Sequence, residues 1–271
     1  MASALRANVF FQTLEAEHRR WLSEFDPQYL GNWEKLLNSD DEAAFAEAGV
    51  RRLLQGYAIS VEPNEDLTGA GPRPDFHCNA DDDKFYVEVT NISIASATAK
   101  TGIPAEASRE AVPSRPLNPA VFSKCVAKAA QCANVDAPAL VAITTFHGFG
   151  AMYSFKKMFV SELLTGETKI ACTIDKRTGN RVGNPCQTTE LRSAAFLRPG
   201  DNQEVGYARS PISGLLLCAL GLEPPRVLAV LHPNPARPFN PGLLPQVEFG
   251  QIAVDHASGG LDVQWPGGDH E

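Results

Sequence analysis

Two carboxylates, Asp75 and Glu88, lie where the sequence predicts neighbouring strands of a β-hairpin. Glu88 stands in the middle of the apolar segment 84–94, where successive side chains of a strand point to alternate faces. Burial of one carboxylate in such a strand is costly, and a second carboxylate beside it adds repulsion. A divalent cation bound by both groups would offset that repulsion. The pattern therefore predicts a metal site, in which the backbone carbonyl of Val89 is a further candidate ligand.

Hydrophobic periodicity and turn signals predict the elements that position these acids. In chain order these are a helical segment at 3–36, a helix from the Asn38-Ser39-Asp40 start signal to Gly56, strands at 57–61, 75–78 and 84–94, a long surface connection at 95–117, a helix from Asn118-Pro119 to about 134, and a doubly buried strand at 137–146.

The second half of the chain has weaker patterns. Its predicted elements are a helix at 155–164, a strand at 169–174, a hairpin tip at 175–183 that carries Lys176, Arg177 and Arg181, an apolar segment at 212–220 that fits either a strand or a helix, and a strand at 226–231. A proline-rich extended segment follows at 232–245.

Pro74-Asp75, a turn, and then Glu88-Val89-Thr90 in an apolar strand resemble the motif of the PD-(D/E)xK nuclease superfamily. The predicted element order over residues 41–146 is similar to the αβββαβ core of that superfamily. Glu47 falls on the helix that corresponds to the first core helix, whose glutamate can reach the metal. The resemblance covers about 105 residues and depends on short motifs.

This resemblance implies both a cofactor and an activity. Asp75, Glu88 and the carbonyl of Val89 would bind Mg²⁺, with Mn²⁺ as a substitute, and Glu47 would be a supporting acid. The metal would polarise the scissile phosphate and activate the attacking water. The implied reaction is hydrolysis of phosphodiester bonds in nucleic acid, with DNA as the expected substrate, in restriction, repair or defence against foreign DNA.

Thr90 departs from the superfamily pattern, which has a lysine two residues after the acid. A hydroxyl replaces a positive charge there, and loss of such a charge commonly costs orders of magnitude in rate. Lys128 and Gln131 are the expected substitutes, because they share one helical stripe with Lys124. The alternative is that this stripe faces solvent, which is the more usual role of a charged stripe.

Composition sets further limits. The net charge of −8 argues against tight nucleic-acid binding through overall charge, although a local basic groove remains compatible with it. The six cysteines form no CxxC pair, which argues against a zinc site. His147 near the end of an apolar strand is a candidate base for a cysteine nucleophile, but no third member of such a triad is evident. No signal-like or membrane-spanning segment is present, so a cytoplasmic protein that does not contact a membrane is expected.

The predicted fold class is α/β, with a restriction-endonuclease-like core built on a central mixed sheet. The expected organisation is an N-terminal helical cap at 1–40, the core at 41–146, and a C-terminal α+β elaboration at 147–271 that packs on the same domain. Two other interpretations stay open: a catalytically inactive nuclease-fold protein that binds nucleic acid or protein, and an unrelated α/β enzyme in which the acids are structural. A protein partner or a homodimer is also left open.

Overall fold

The fold is built around an eight-stranded mixed β-sheet, here in a computed structural model that describes residues 4–69, 71–80, 82–106, 113–200, 204–255 and 260–267. In spatial order its strands are β1 (Ser60–Pro63), β2 (Phe76–Ala80), β3 (Asp83–Asn91), β4 (Ala139–Thr145), β9 (Gly214–Ala219), β10 (Arg226–Leu231), β11 (Glu248–Asp255) and β12 (Gly260–Gln264). The pairs β3/β4, β4/β9 and β10/β11 are parallel, and the other pairs are antiparallel. The chain is therefore an α/β protein with a mixed sheet, as the sequence predicts.

Helices cover both faces of this sheet. They are α1 (Val9–Leu22), α2 (Pro27–Ser39), α3 (Asp41–Gly56), α4 (Ile94–Thr101), α5 (Asn118–Lys128), α6 (Gly148–Ser154) and α7 (Lys157–Thr165). Two short ribbons complete the described elements: β5 (Glu167–Ile174) with β6 (Arg181–Glu190), and β7 (Leu197–Pro199) with β8 (Val205–Tyr207).

Alternate residues of β3 and β4 face two separate apolar clusters. Phe85, Val87 and Val89 of β3 belong to a cluster that contains side chains of α1, α2 and α3. Val141 and Ile143 of β4 belong to a second cluster, which contains side chains of α5 and α7. Every residue of β4 is buried, as expected for a strand covered on both faces. The alternation predicted for β3 is confirmed, and it places Glu88 on the strand face opposite to Val87 and Val89, where Lys128 of α5 contacts it.

The helical segment predicted at 3–36 is divided into separate helices. Asp26 accepts a hydrogen bond from the N–H of Gln28, and Pro27 follows at the first helical position, so a new helix begins there. The predicted start of α3 at Asn38 is wrong, because Asn38 and Ser39 still belong to α2. Asp40 is the N-cap of α3, and its carboxylate accepts from the N–H of Ala43.

Two predicted bounds on the other side of the sheet are also wrong. The connection predicted at 95–117 contains α4, which is capped by Ser93 and ends at Gly102 with a φ of 75°. The helix predicted to run to 134 ends at Lys128, and residues 129–134 form turns. Gln131 is therefore held in a turn after α5, where its N–H donates to the carbonyl of Lys128. The ambiguous segment at 212–220 is strand β9.

Among the residues that the structure describes, no helix has the length and apolar character that crossing a membrane requires.

Candidate metal centre

Asp75 and Glu88 are brought together by the antiparallel pairing of β2 and β3. Phe76 pairs with Val87, so Asp75 lies opposite Glu88 in continuation of the same register. The Val89 N–H donates a 2.6 Å hydrogen bond to Oδ2 of Asp75. The carbonyl of Asp75 accepts from the N–H of Asn64, which holds the loop after β1 against the same point. The hairpin predicted from sequence therefore places the two acids side by side.

Glu88 is completely buried, and its nearest cation is Lys128. Nζ of Lys128, at the end of α5, lies 2.5 Å from Oε1 of Glu88. Neither oxygen of Glu88 has a hydrogen-bond donor at good geometry, so the contact with Lys128 is mainly one of charge. Burial raises the pKa of Glu88, while Lys128 and the side-chain amide of Gln131 oppose that rise. Lys128, at the end of α5, and Gln131, in the turn after it, therefore lie toward the site rather than toward solvent.

The charges of the site act on Lys128 in turn. Burial lowers the pKa of this lysine, but the negative charges of Glu88, Asp75 and Glu47 outweigh that effect, and its pKa is raised. A quarter of the side chain is exposed. Lys128 is therefore held in its charged form beside the acids.

Glu47 of α3 lies within electrostatic reach of the same group. Burial, followed by the charges of Asp75, Glu65 and Glu88, raises the pKa of Glu47 well above its usual value. The pKa of Asp75 is also raised well above its usual value, by burial and by the charge of Glu88. Both shifts mean that burial and the neighbouring acids disfavour the charged carboxylate more than Lys128 favours it.

Thr90 and Val89 occupy the end of β3 next to Glu88. Thr90 is buried, and its carbonyl accepts a 3.4 Å hydrogen bond from Oγ1 of Thr144 on β4. The backbone of Val89 is already tied to Asp75 through its N–H. At the position where the resemblance leads us to expect a lysine, the chain thus has a buried hydroxyl residue, and the cation beside Glu88 is Lys128 of α5.

Glu65 is an acidic residue of this site that the sequence patterns do not single out. It lies in the loop after β1, and its Oε2 accepts a 3.2 Å hydrogen bond from Nδ2 of Asn32 on α2. Its charge raises the pKa of both Glu47 and Asp75. The loop is irregular, so no periodicity marks Glu65. Its position depends on Asn64, whose backbone and side chain bond to Asp75 and Pro74.

His147 does not provide a catalytic base for cysteine chemistry. Its Nδ1 accepts a 2.9 Å hydrogen bond from the N–H of Gly150 at the start of α6. Its Nε2 lies 3.0 Å from the carbonyl oxygen of Ile103 and donates to it. Both ring nitrogens are engaged by backbone, so the residue caps α6 and fastens it to the segment after α4.

A metal ion at this site would have few protein side chains as ligands. Within the described ranges, no group of three or more His, Cys, Asp or Glu side chains is arranged to hold a metal. Mg²⁺, however, is usually bound through one or two carboxylates together with waters and substrate phosphates. Asp75 and Glu88 lie opposite each other on the hairpin and match that smaller requirement. The residues present therefore fit a two-carboxylate magnesium site.

Comparisons with known protein families, with curated protein sequences and with solved structures find no match to this chain.

Proposed function

We propose that this protein is a metal-dependent nuclease that hydrolyses phosphodiester bonds, with DNA as its substrate. The observation that carries the proposal is Glu88, a fully buried carboxylate that lies beside Asp75 and against Lys128. A buried group of like charges is costly to maintain for stability alone, and such arrangements concentrate at functional sites.

The topology supports the same proposal. The order α3, β1, β2, β3, α5, β4 follows the αβββαβ arrangement of the PD-(D/E)xK superfamily, with α4 as an insertion. The first three strands are antiparallel neighbours, and β3 and β4 are parallel. Asp75 directly precedes β2, Glu88 lies within β3, and Glu47 lies within α3, which are the elements that the resemblance implies. Since a fold alone does not establish a function, the proposal depends on the site.

Asp75, Glu88 and the carbonyl of Val89 would hold Mg²⁺ or Mn²⁺, and Glu47 would support them. When bound, the metal supplies Lewis-acid activation of the phosphate and of the attacking water. Lys128 contributes a positive charge toward the scissile phosphate, in the role that Thr90 cannot fill. Gln131 adds an amide donor on the same side of the site.

The test is cleavage of plasmid DNA, linear DNA and RNA by the purified chain, with Mg²⁺, Mn²⁺ or neither. We expect cleavage that requires metal and is abolished in Asp75→Asn and in Glu88→Gln. Lys128→Met should lower the rate by orders of magnitude, as expected for the loss of a charged stabiliser. Glu62→Gln is the matched control, because this acid is exposed on β1 and should leave cleavage unchanged.

Two results would contradict the proposal. One is a wild-type preparation that cuts none of these substrates with either metal. The other is cleavage that persists at the wild-type rate in Glu88→Gln, since contaminating nuclease would then be the source. If the chain binds nucleic acid without cutting it, the catalytically inactive interpretation replaces this one.

A further inference from the structure

The β5–β6 ribbon forms an exposed arm whose presence the core does not explain. Every residue of β5 except Ala171 is exposed, and Ile170 is 80% exposed. A two-stranded ribbon is marginally stable alone, and the described side chains of this one bury little apolar surface. Such an arm contributes little to folding, so a role in binding is the more economical explanation.

Specific contacts nevertheless hold the base of the arm, where it joins α7. Gly166, between α7 and β5, has a φ of 94°, and a Cβ there would lie 2.6 Å from the carbonyl oxygen of Glu190. The N–H of Glu167 donates a 3.1 Å hydrogen bond to Oγ of Ser193. Lys169 forms ion pairs with Glu167 and Glu190 across the base of the arm. The arm is therefore attached by a specific turn.

The tip of the arm carries three exposed cations, Lys176, Arg177 and Arg181. The one acid within the segment 175–181, Asp175, is used to shape the turn: its carboxylate accepts from the N–H of Arg177 and from Oγ1 of Thr178. These hydrogen bonds lower the pKa of Asp175. None of the three cations forms an ion pair with another described residue. The tip thus presents free positive charge on a chain whose net charge is −8.

We propose that the tip of this arm, residues 175–181, binds the phosphate backbone of duplex nucleic acid. A two-stranded ribbon fits the major groove of a DNA duplex, where cations near its tip reach phosphates. Charge concentrated on a projecting element allows an acidic protein to bind a polyanion while its body stays away from it. The choice of nucleic acid as the partner rests on the proposed function, whereas the binding itself requires no catalysis.

The test measures binding of a fluorescently labelled DNA duplex in EDTA, so that no cleavage occurs, over a series of salt concentrations. The tip variant is Lys176→Gln/Arg177→Gln/Arg181→Gln. The control variant is Arg20→Gln/Lys35→Gln/Arg226→Gln, which removes the same charge from exposed positions elsewhere. We expect the tip variant to bind about tenfold more weakly or worse at low salt, and its log–log salt slope to fall by about 2 to 3 units.

Equal losses in the two variants would overturn the inference, because net charge alone would then explain them. It is also overturned if neither variant loses affinity, or if the wild-type chain does not bind the duplex. A tip variant that binds normally but changes its oligomeric state by light scattering would assign the arm to contacts between copies. If the chain binds through its tip but never cleaves, the proposed function fails and this inference stands.

Discussion

At the scale of single residues, the contact between Glu88 and Lys128 places a buried carboxylate and a partly buried lysine together among further acids. Desolvation of two charges often exceeds their attraction, and apolar replacements of buried pairs are often neutral or stabilising. Asp75 and Glu47 lie near the same lysine, and each of these acids can ionise only at an added electrostatic cost. A site built this way favours any additional cation, so the metal-free protein should be electrostatically strained.

This strain predicts how Glu47 affects stability. Because burial and neighbouring acids raise its pKa, the folded chain keeps a proton that the unfolded chain releases at pH values above about 4.5. Stability therefore falls as the pH rises through this window. Glu47→Gln cannot ionise, so in EDTA we expect it to be more stable than the wild type at neutral pH, with a difference that shrinks toward pH 4.5. Urea unfolding at a series of pH values measures this.

Glu24→Gln provides the comparison for that experiment, since Glu24 is exposed and outside the acid group. Its stability relative to the wild type should change little over the same pH series. A Glu47→Gln variant that is less stable than the wild type at neutral pH would show that Glu47 is stabilised in its charged form, in conflict with the site described here.

At the scale of elements, α3 matters because it carries Glu47 to the sheet. Its start is fixed by Asp40, whose carboxylate accepts a 3.0 Å hydrogen bond from the N–H of Ala43. Asp41 and Glu42 add negative charge in the first turn, where the helix dipole favours it. Oε2 of Glu42 also accepts from the N–H of Ile94, which links α3 to the start of α4.

We expect Asp40→Ala to destabilise the protein by about 1 kcal/mol, the usual cost of losing an N-cap side chain. Asp40→Asn keeps the acceptor and should retain most of that stability. Urea unfolding of the three proteins measures the difference. If the two substitutions cost the same, charge at this position would matter more than the hydrogen bond to Ala43.

The sequence predicts these elements unevenly, for physical reasons. Strong local signals locate β3, β4 and β10, and the hairpin they predict brings Asp75 near Glu88. They do not determine where Lys128 lies, because a charged helix stripe more usually faces solvent. Local signals do not predict an element that is stabilised mainly by tertiary packing. Helix α4 is such an element, because it is short, consists largely of small and polar residues, and is held by its caps and by two buried side chains, Ala97 and Thr101. The sequence does not predict that Glu65 belongs to the site for a similar reason, since hydrogen bonds of Asn64 and Asn32 position its loop.

At the scale of the whole molecule, the N-terminal helices and the sheet share one apolar cluster. It joins side chains of α1 and α2 to side chains of α3 and β3, and among its fully or almost fully buried members are Leu14, Trp33, Leu37, Phe45 and Phe85. The indole N–H of Trp33 donates a 3.2 Å hydrogen bond to the carbonyl of Ala44. The segment predicted as a cap at 1–40 therefore supplies part of the core under the candidate site.

This sharing predicts that removal of residues 1–40 abolishes folding. Burial of a large apolar side chain contributes about 1.5 to 3 kcal/mol, so loss of several exceeds the roughly 5 to 15 kcal/mol by which an ordinary domain is stable. We expect the truncated chain to show no cooperative thermal transition by circular dichroism. Replacement of residues 169–188 by a short glycine linker is the control, and it should keep the transition because none of the described side chains of the arm belongs to either cluster. A cooperative transition in the truncated chain would instead make residues 1–40 a separable cap.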